Sequence, residues 1–237
     1  MEKKINFLFD VDGTLTPSRL PIDPDFESFF CEWIKDKSVY LITGSDKQKT
    51  IEQIGSTIWK NVTRAYQSCG NQVWKKGQLI TEKPFPLTET LNLCFQQILS
   101  KTEWKKKYGN HIEERVGLIN FSTIGRNCPQ KEREAYFHWD SKFKERENIC
   151  KIIMKECPEI EASIGGQISV DIHPKGANKS QILDDVSGTI YFFGDKTEKG
   201  GNDYPIVERL KREKRDMKIF TVSSPEETLE ILQTLNN

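Results

Sequence analysis

Short apolar runs punctuate the chain, and three of them stop abruptly at polar residues. Ile5–Phe9 ends at Asp10, Val39–Ile42 at Thr43, and Thr189–Phe193 at Gly194-Asp195; a fourth run, Lys218–Val222, precedes a last helical stretch. Such runs suit strands buried in a parallel sheet. Between the first two, Phe26, Phe29, Phe30, Trp33 and Ile34 recur at helical spacing from Pro24 to Lys35, while Pro17, Pro21 and Pro24 disfavour a helix directly after Asp10. Residues 46–54 read as a second helix with Asp46 as N-cap. Strand, helix, strand, helix is the order that builds parallel sheets.

The middle of the chain is different. Residues 84–108 look irregularly helical, and 116–124 alternate as a half-exposed strand does. Residues 130–157 are charged with spaced aromatics, which predicts one amphipathic surface helix. Residues 162–172 look like paired strands, with Gly165-Gly166 as turn or bulge. The expectation is a split α/β domain, 1–82 and 178–237, with an α+β segment carrying an antiparallel sheet inserted at 83–177.

The 237 residues hold 35 basic and 35 acidic side chains, so bulk charge gives no argument for a nucleic-acid or membrane-surface partner. No apolar run approaches the roughly 18 residues of a bilayer span. The apolar run after Lys4 is short and meets an acid, which does not resemble a secretory leader. Six cysteines are scattered without a C-x-x-C pair and read as reduced thiols. A cytoplasmic protein is expected.

The chemistry concentrates at the strand ends. Asp10-Val-Asp12-Gly13-Thr14 places two carboxylates just beyond a strand, where open α/β sheets bind ligands. A plain Asp/Gly turn is the bland alternative. A calcium loop fails, because Leu15 and Pro21 stand where Gly and Glu are needed. Thr43 and Ser45 offer hydroxyls and N–H groups at a helix start, and Lys179 offers a cation. Asp195 and Asp203 add acids after the third run. Acids, hydroxyls and one lysine suit Mg²⁺ and a phosphoryl group.

Asp10-Val-Asp12-Gly13-Thr14 resembles the first motif of the haloacid dehalogenase (HAD) superfamily, with Thr43, Lys179 and Asp195 in the order of its later motifs. Ser163–Asp171, Tyr191–Asp203, Leu15–Arg19 and Ile124–Arg133 resemble eukaryotic-type phosphomannomutases, and the likeness spans most of the chain. It implies a HAD-like Rossmannoid core with a parallel sheet, plus an inserted cap. Asp10 would be the nucleophile that becomes an aspartyl-phosphate, and Asp12 the general acid/base. Asp10, Asp195 and the backbone oxygen of Asp12 would hold Mg²⁺, with Lys179 offsetting charge and Thr43 in the second motif. In many relatives Gly occupies the position of Thr43. Arg115, Arg126 and Arg133 match the cap arginines, Ser169 and Asp171 face the sugar, and Arg19 matches a core residue that reaches the substrate.

The implied reaction is reversible conversion of mannose 6-phosphate and mannose 1-phosphate, feeding GDP-mannose synthesis. Glucose 1,6-bisphosphate or mannose 1,6-bisphosphate would prime it, in a homodimer joined through the caps. Two alternatives stay open at this point. One is a sugar-phosphate phosphatase of the same superfamily, which uses the same Asp pair. The other is a non-catalytic binding protein that kept the fold.

Overall fold

The computed structural model describes residues 4–235. In chain order the elements are β1 (Ile5–Phe9), α1 (Pro24–Trp33), β2 (Ser38–Ile42), α2 (Lys47–Asn61), β3 (Arg64–Gln67), β4 (Gln72–Lys75) and β5 (Gln78–Glu82). Then come α3 (Glu89–Lys101), β6 (Ile112–Arg115), β7 (Leu118–Phe121), α4 (Gln130–Phe143), α5 (Glu145–Glu156), β8 (Ile160–Gly165) and β9 (Ser169–Pro174). The last are β10 (Thr189–Gly194), α6 (Tyr204–Arg212), β11 (Met217–Thr221) and α7 (Pro225–Thr234). The chain divides into two compact units: the residues up to Glu82 together with those from Ala177 onward, and Lys83–Gly176.

The first unit is a seven-stranded sheet ordered β11-β10-β1-β2-β3-β4-β5. The first five are parallel; β4 and β5 are antiparallel. β1 sits centrally, with Phe9 opposite both Phe193 and Leu41. The chain winds one way from β1 to β3 and the other way from β10 to β11. The direction therefore reverses between β1 and β10, where such sheets open a ligand crevice beyond their carboxyl ends. Asp10, Thr43 and Asp195 follow directly on β1, β2 and β10.

Local chemistry explains the elements. Asp23 caps α1 by accepting from the N–H groups of Asp25 and Phe26, and Pro24 occupies the first turn. Phe26, Phe30 and Trp33 then face the core at helical spacing. Asp46 caps α2 through the Lys49 N–H. The sheet core is closed by aromatic stacking of Phe9 on Phe193 and Phe193 on Phe220, at 4.7 and 4.3 Å between ring centres.

The second unit carries an antiparallel sheet ordered β6-β7-β9-β8. Its core joins Leu91, Phe95 and Ile98 of α3 and Ile149 and Ile153 of α5 to Phe121, Val170 and Ile172.

Three readings of the sequence are corrected here. The single helix expected over 130–157 is two, broken at Lys144, whose φ of 57° is left-handed. Buried Arg146 donates to Asp140 across the break and also to the Gly166 carbonyl, which fixes the angle. The helix expected over 84–108 is confined to α3, since the Tyr108 N–H turns away to the Ile124 carbonyl. Strands β3, β4 and β5 were not anticipated: the first two are four residues each, and β5 is exposed along its length.

Candidate active site

The strand ends of the first unit gather three carboxylates and one buried lysine. A ligand oxygen from each of Asp10, Asp195 and Asp203 lies within 4.8 Å of the others. Lys179 Nζ is 2.6 Å from Asp10 Oδ1 and 2.8 Å from Asp203 Oδ1. Lys179, Asp10 and Asp203 are all buried. Lys179 is delivered by a short helical turn whose start is capped by Asn178, which accepts from the Ser180 N–H.

Asp195 also pairs with the exposed Lys196 at 3.3 Å, so the buried part of the cluster is two carboxylates on the single ammonium of Lys179, an excess of negative charge in a dry place. Burial raises the Asp10 pKa to about 7; Lys179 opposes the rise and Asp203 adds to it. Burial works against the Lys179 charge, but the carboxylates of Asp10 and Asp203 overcome it and push its pKa up. Asp10 Oδ2 and Asp195 Oδ1 are buried without a hydrogen-bond partner. Orphaned carboxylate oxygens and surplus negative charge are what a hard divalent cation with oxygen ligands requires, so the residues fit Mg²⁺.

The turn after β1 is held by backbone bonds: Gly13 N–H to the Thr16 carbonyl at 2.7 Å, and the Leu15 and Thr16 N–H groups to Val11. Gly13 has φ 82°, and a Cβ there would lie 2.8 Å from Asp195 Cγ. Only glycine allows both this backbone and this approach.

Asp12 turns away from the carboxylate cluster. Its Oδ1 accepts from the Arg19 N–H at 2.7 Å and from Gln53 Nε2 at 3.0 Å. Its Oδ2 lies 3.4 Å from Ser45 Oγ and 3.6 Å from Lys49 Nζ. Partial burial favours its neutral form, but the Arg19 and Gln53 bonds and the Lys49 charge outweigh this and lower its pKa. The Asp12 carboxylate is thus no member of the three-acid cluster. Buried Thr43 accepts the Ser45 N–H on its hydroxyl at 3.1 Å. Arg19 is exposed with φ 64°.

The second unit brings together most of the remaining candidates. Arg126 Nη1 donates to buried Ser169 Oγ at 2.8 Å, and its Nε is 3.0 Å from Glu113. Arg115 reaches the same Glu113 at 3.0 Å. Asp171 faces Asn120 across the strand pair and accepts from its Nδ2 at 2.5 Å. A Cβ at Gly165 would sit 2.5 Å from Asp171 Cγ, so a larger residue there would displace the Asp171 carboxylate. Arg133 stands apart on the first turn of α4, with no hydrogen bond or ion pair to its guanidinium among the described residues.

Asp203 was expected only as an acid in the glycine-rich run Gly200-Gly201-Asn202-Asp203, with no role assigned to it. Glu113, Asn120, Lys49 and Gln53 were missed. For Lys49 and Gln53 the available signal was their spacing: four residues apart, on the helix face that looks back at Asp12.

Among solved structures, trehalose-6-phosphate phosphatase of Aspergillus fumigatus superposes with a TM-score of 0.68 at 15% identity, over 99% of this chain and 93% of that one. A haloacid dehalogenase-like hydrolase of Bacteroides thetaiotaomicron gives 0.64 at 12%, over 99% and 100%. At such identities the likeness establishes a HAD-like fold and no more. The sequence relatives are nearer. Phosphomannomutase of Solanum lycopersicum is 37% identical over 94% of this chain and 90% of its own. Phosphomannomutase of Glycine max is 35% identical over 96% and 94%, and phosphomannomutase 1 of Dictyostelium discoideum 36% over 96% and 95%. The family model for eukaryotic phosphomannomutase matches residues 26–237. With most of its length inside that match, and relatives at this level along nearly the whole chain, the chain belongs to the eukaryotic phosphomannomutase family.

Proposed function

We propose that the chain interconverts mannose 6-phosphate and mannose 1-phosphate through a phosphorylated Asp10, primed by a hexose 1,6-bisphosphate. The observation that carries this is the buried Asp10–Lys179 pair beside Asp195 and Asp203, with the free oxygens of Asp10 and Asp195. An oxygen of Asp10 forms the new bond to phosphorus as the bond from phosphorus to the sugar oxygen breaks. Asp12 gives its proton to the leaving sugar oxygen. In the second half-reaction it takes a proton from the free hydroxyl of a hexose monophosphate as that oxygen attacks the phosphoaspartate; the hexose 1,6-bisphosphate so formed turns round and returns its other phosphoryl group to Asp10. Lys179 holds its positive charge beside Asp10 throughout and offsets charge on the phosphoryl oxygens. Asp10, Asp195, Asp203 and the backbone oxygen of Asp12 are the groups that would hold Mg²⁺, which supplies further charge neutralisation when bound.

In the second unit Arg126, Arg115 and Arg133 would grip the phosphate not in transfer, and Ser169 and Asp171 the sugar. Arg126 is already oriented by Ser169, and its planar fork suits a phosphate. Arg19, beside Asp12 in the chain fold, would add a contact to the substrate. Pairing of two copies through the second unit belongs to the same reading. Phe137, Phe143, Ile152 and Met154, exposed on α4 and α5, support it, whereas Phe95 and Tyr136 are core.

Incubation with mannose 1-phosphate, Mg²⁺ and a trace of glucose 1,6-bisphosphate should yield mannose 6-phosphate. Release of inorganic phosphate without isomer would assign a sugar-phosphate phosphatase instead. Neither product, together with no binding of beryllofluoride and Mg²⁺, would leave a non-catalytic protein.

A further inference from the structure

We infer that Gln53 is the positioning residue of the reaction: it fixes Asp12 Oδ1, so that Oδ2 is the atom that carries the exchanging proton. This rests on the acid/base reading of Asp12. Gln53 is 3% exposed, on the face of α2 that looks at the turn after β1. Its Nε2 donates to Asp12 Oδ1 and to Thr16 Oγ1, both at 3.0 Å. Its backbone carbonyl accepts the Ile22 N–H at 2.7 Å, so the residue is tied to both ends of the segment that follows Asp12.

The donor and acceptor inventory decides which way the amide faces. An ionised carboxylate only accepts, so the NH₂ of Gln53 must meet Asp12, and both its hydrogens are spent on Asp12 and Thr16. Oδ1 then holds two donors, Gln53 Nε2 and the Arg19 N–H. A proton on Oδ1 would point into one of them. Oδ2 has only the longer contacts to Ser45 Oγ and Lys49 Nζ, at 3.4 and 3.6 Å. Proton exchange at Oδ2 therefore breaks no short bond. Gln53 Oε1 is buried without a partner, a cost that a residue serving only to brace the turn need not incur.

The test is steady-state kinetics on Gln53→Met, which keeps the length of the side chain and removes the donor. The kcat for mannose 1-phosphate should fall about 30-fold, a part of what general acid–base catalysis supplies. KM, and the affinity for beryllofluoride with Mg²⁺, should stay within about twofold, because ground-state binding at Asp10 is untouched. Gln53→Leu, which likewise removes the donor and fills the space with another shape, should lose kcat in the same way, and it decides the matter if the first variant does not fold. A kcat within about threefold of wild type, or parallel losses in kcat and beryllofluoride affinity, overturns the inference. The wild-type control separates the two layers: no isomerisation by the wild type overturns the functional reading and this inference with it.

Discussion

Lys179 and Asp10 form an ion pair of 2.6 Å shut off from solvent, their side chains 1% and 2% exposed. They come from opposite halves of a split unit: Asp10 follows directly on its first strand, and Lys179 lies just past the point where the chain re-enters it. Asp203 on the other flank of the lysine, and Asp195 within 4.8 Å, make the pair part of a site where negative charge exceeds positive. Such a site depends on its buried cation, Lys179, since the ammonium of Lys196 beside Asp195 is exposed to solvent.

Replacing that lysine should therefore be costly. Lys179→Met leaves buried carboxylates uncompensated, and loss of one partner from a buried pair costs about 3–5 kcal/mol. Urea denaturation in EDTA should show the loss. Mg²⁺ should raise the melting temperature of the variant more than that of the wild type, because only the folded chain presents the ligands together. A variant as stable as wild type, or indifferent to Mg²⁺, would contradict this account of the cluster.

The same surplus sets a pH dependence. The Asp10 pKa rises from its ordinary 3.8 to about 7 on folding, chiefly through burial. Between those values the folded chain binds a proton that the unfolded chain has released. This contribution favours the folded state below the ordinary value and is lost as pH rises toward 7. Asp10→Asn cannot titrate. In EDTA, the stability of wild type relative to Asp10→Asn should decline across that window, as read from urea midpoints. A difference that is flat or grows with pH refutes the assignment. The variant should also show no turnover at any pH while keeping its circular dichroism spectrum.

The parallel part of the fold was legible because β1, β2 and β10 are buried on both faces, and their apolar runs stop where the sheet meets the ligand edge. β5 had no such signature: Leu79 and Ile80 are exposed, so burial left no pattern to read. The break at Lys144 was hidden because charged residues lie on both sides of it and neither Gly nor Pro marks it; the buried Asp140–Arg146 pair that stabilises the bend is a tertiary fact. Of the groups gathered at the strand ends, Asp10, Lys179 and Asp195 were legible from motif order. Asp203 was visible only as an acid in a glycine-rich turn, because its contact with Lys179 depends on packing. Gln53 looked like any polar helix residue until the turn after β1 was seen to fold against it.

The Asp140–Arg146 pair gives a prediction for the second unit alone. Both side chains are 5% exposed at 2.7 Å, and Arg146 also donates to the Gly166 carbonyl. Asp140→Ala strands a buried guanidinium and should cost about 3–5 kcal/mol. Asp140→Asn, which still accepts hydrogen bonds, should cost less. Thermal melts should order the three proteins wild type, Asp140→Asn, Asp140→Ala. The Mg²⁺-dependent rise in melting temperature should persist in both variants, since the acids of the first unit are unaltered.

Arg126 tests the binding half of the functional reading. Its guanidinium reaches Ser169 through Nη1 and Glu113 through Nε, so its plane is fixed before any ligand arrives. A phosphate taking the place of the Glu113 carboxylate would find two parallel N–H donors. Arg126→Leu removes them, and KM for mannose 1-phosphate should rise about 10- to 100-fold, the worth of one charged hydrogen-bonded contact. Arg126→Lys keeps the charge but not the fork and should fall between that variant and wild type. In both, the Mg²⁺-dependent melting shift should equal that of wild type, because the acid cluster lies in the first unit. An unchanged KM in Arg126→Leu would remove Arg126 from substrate binding and leave its bond to Ser169 as a structural tie.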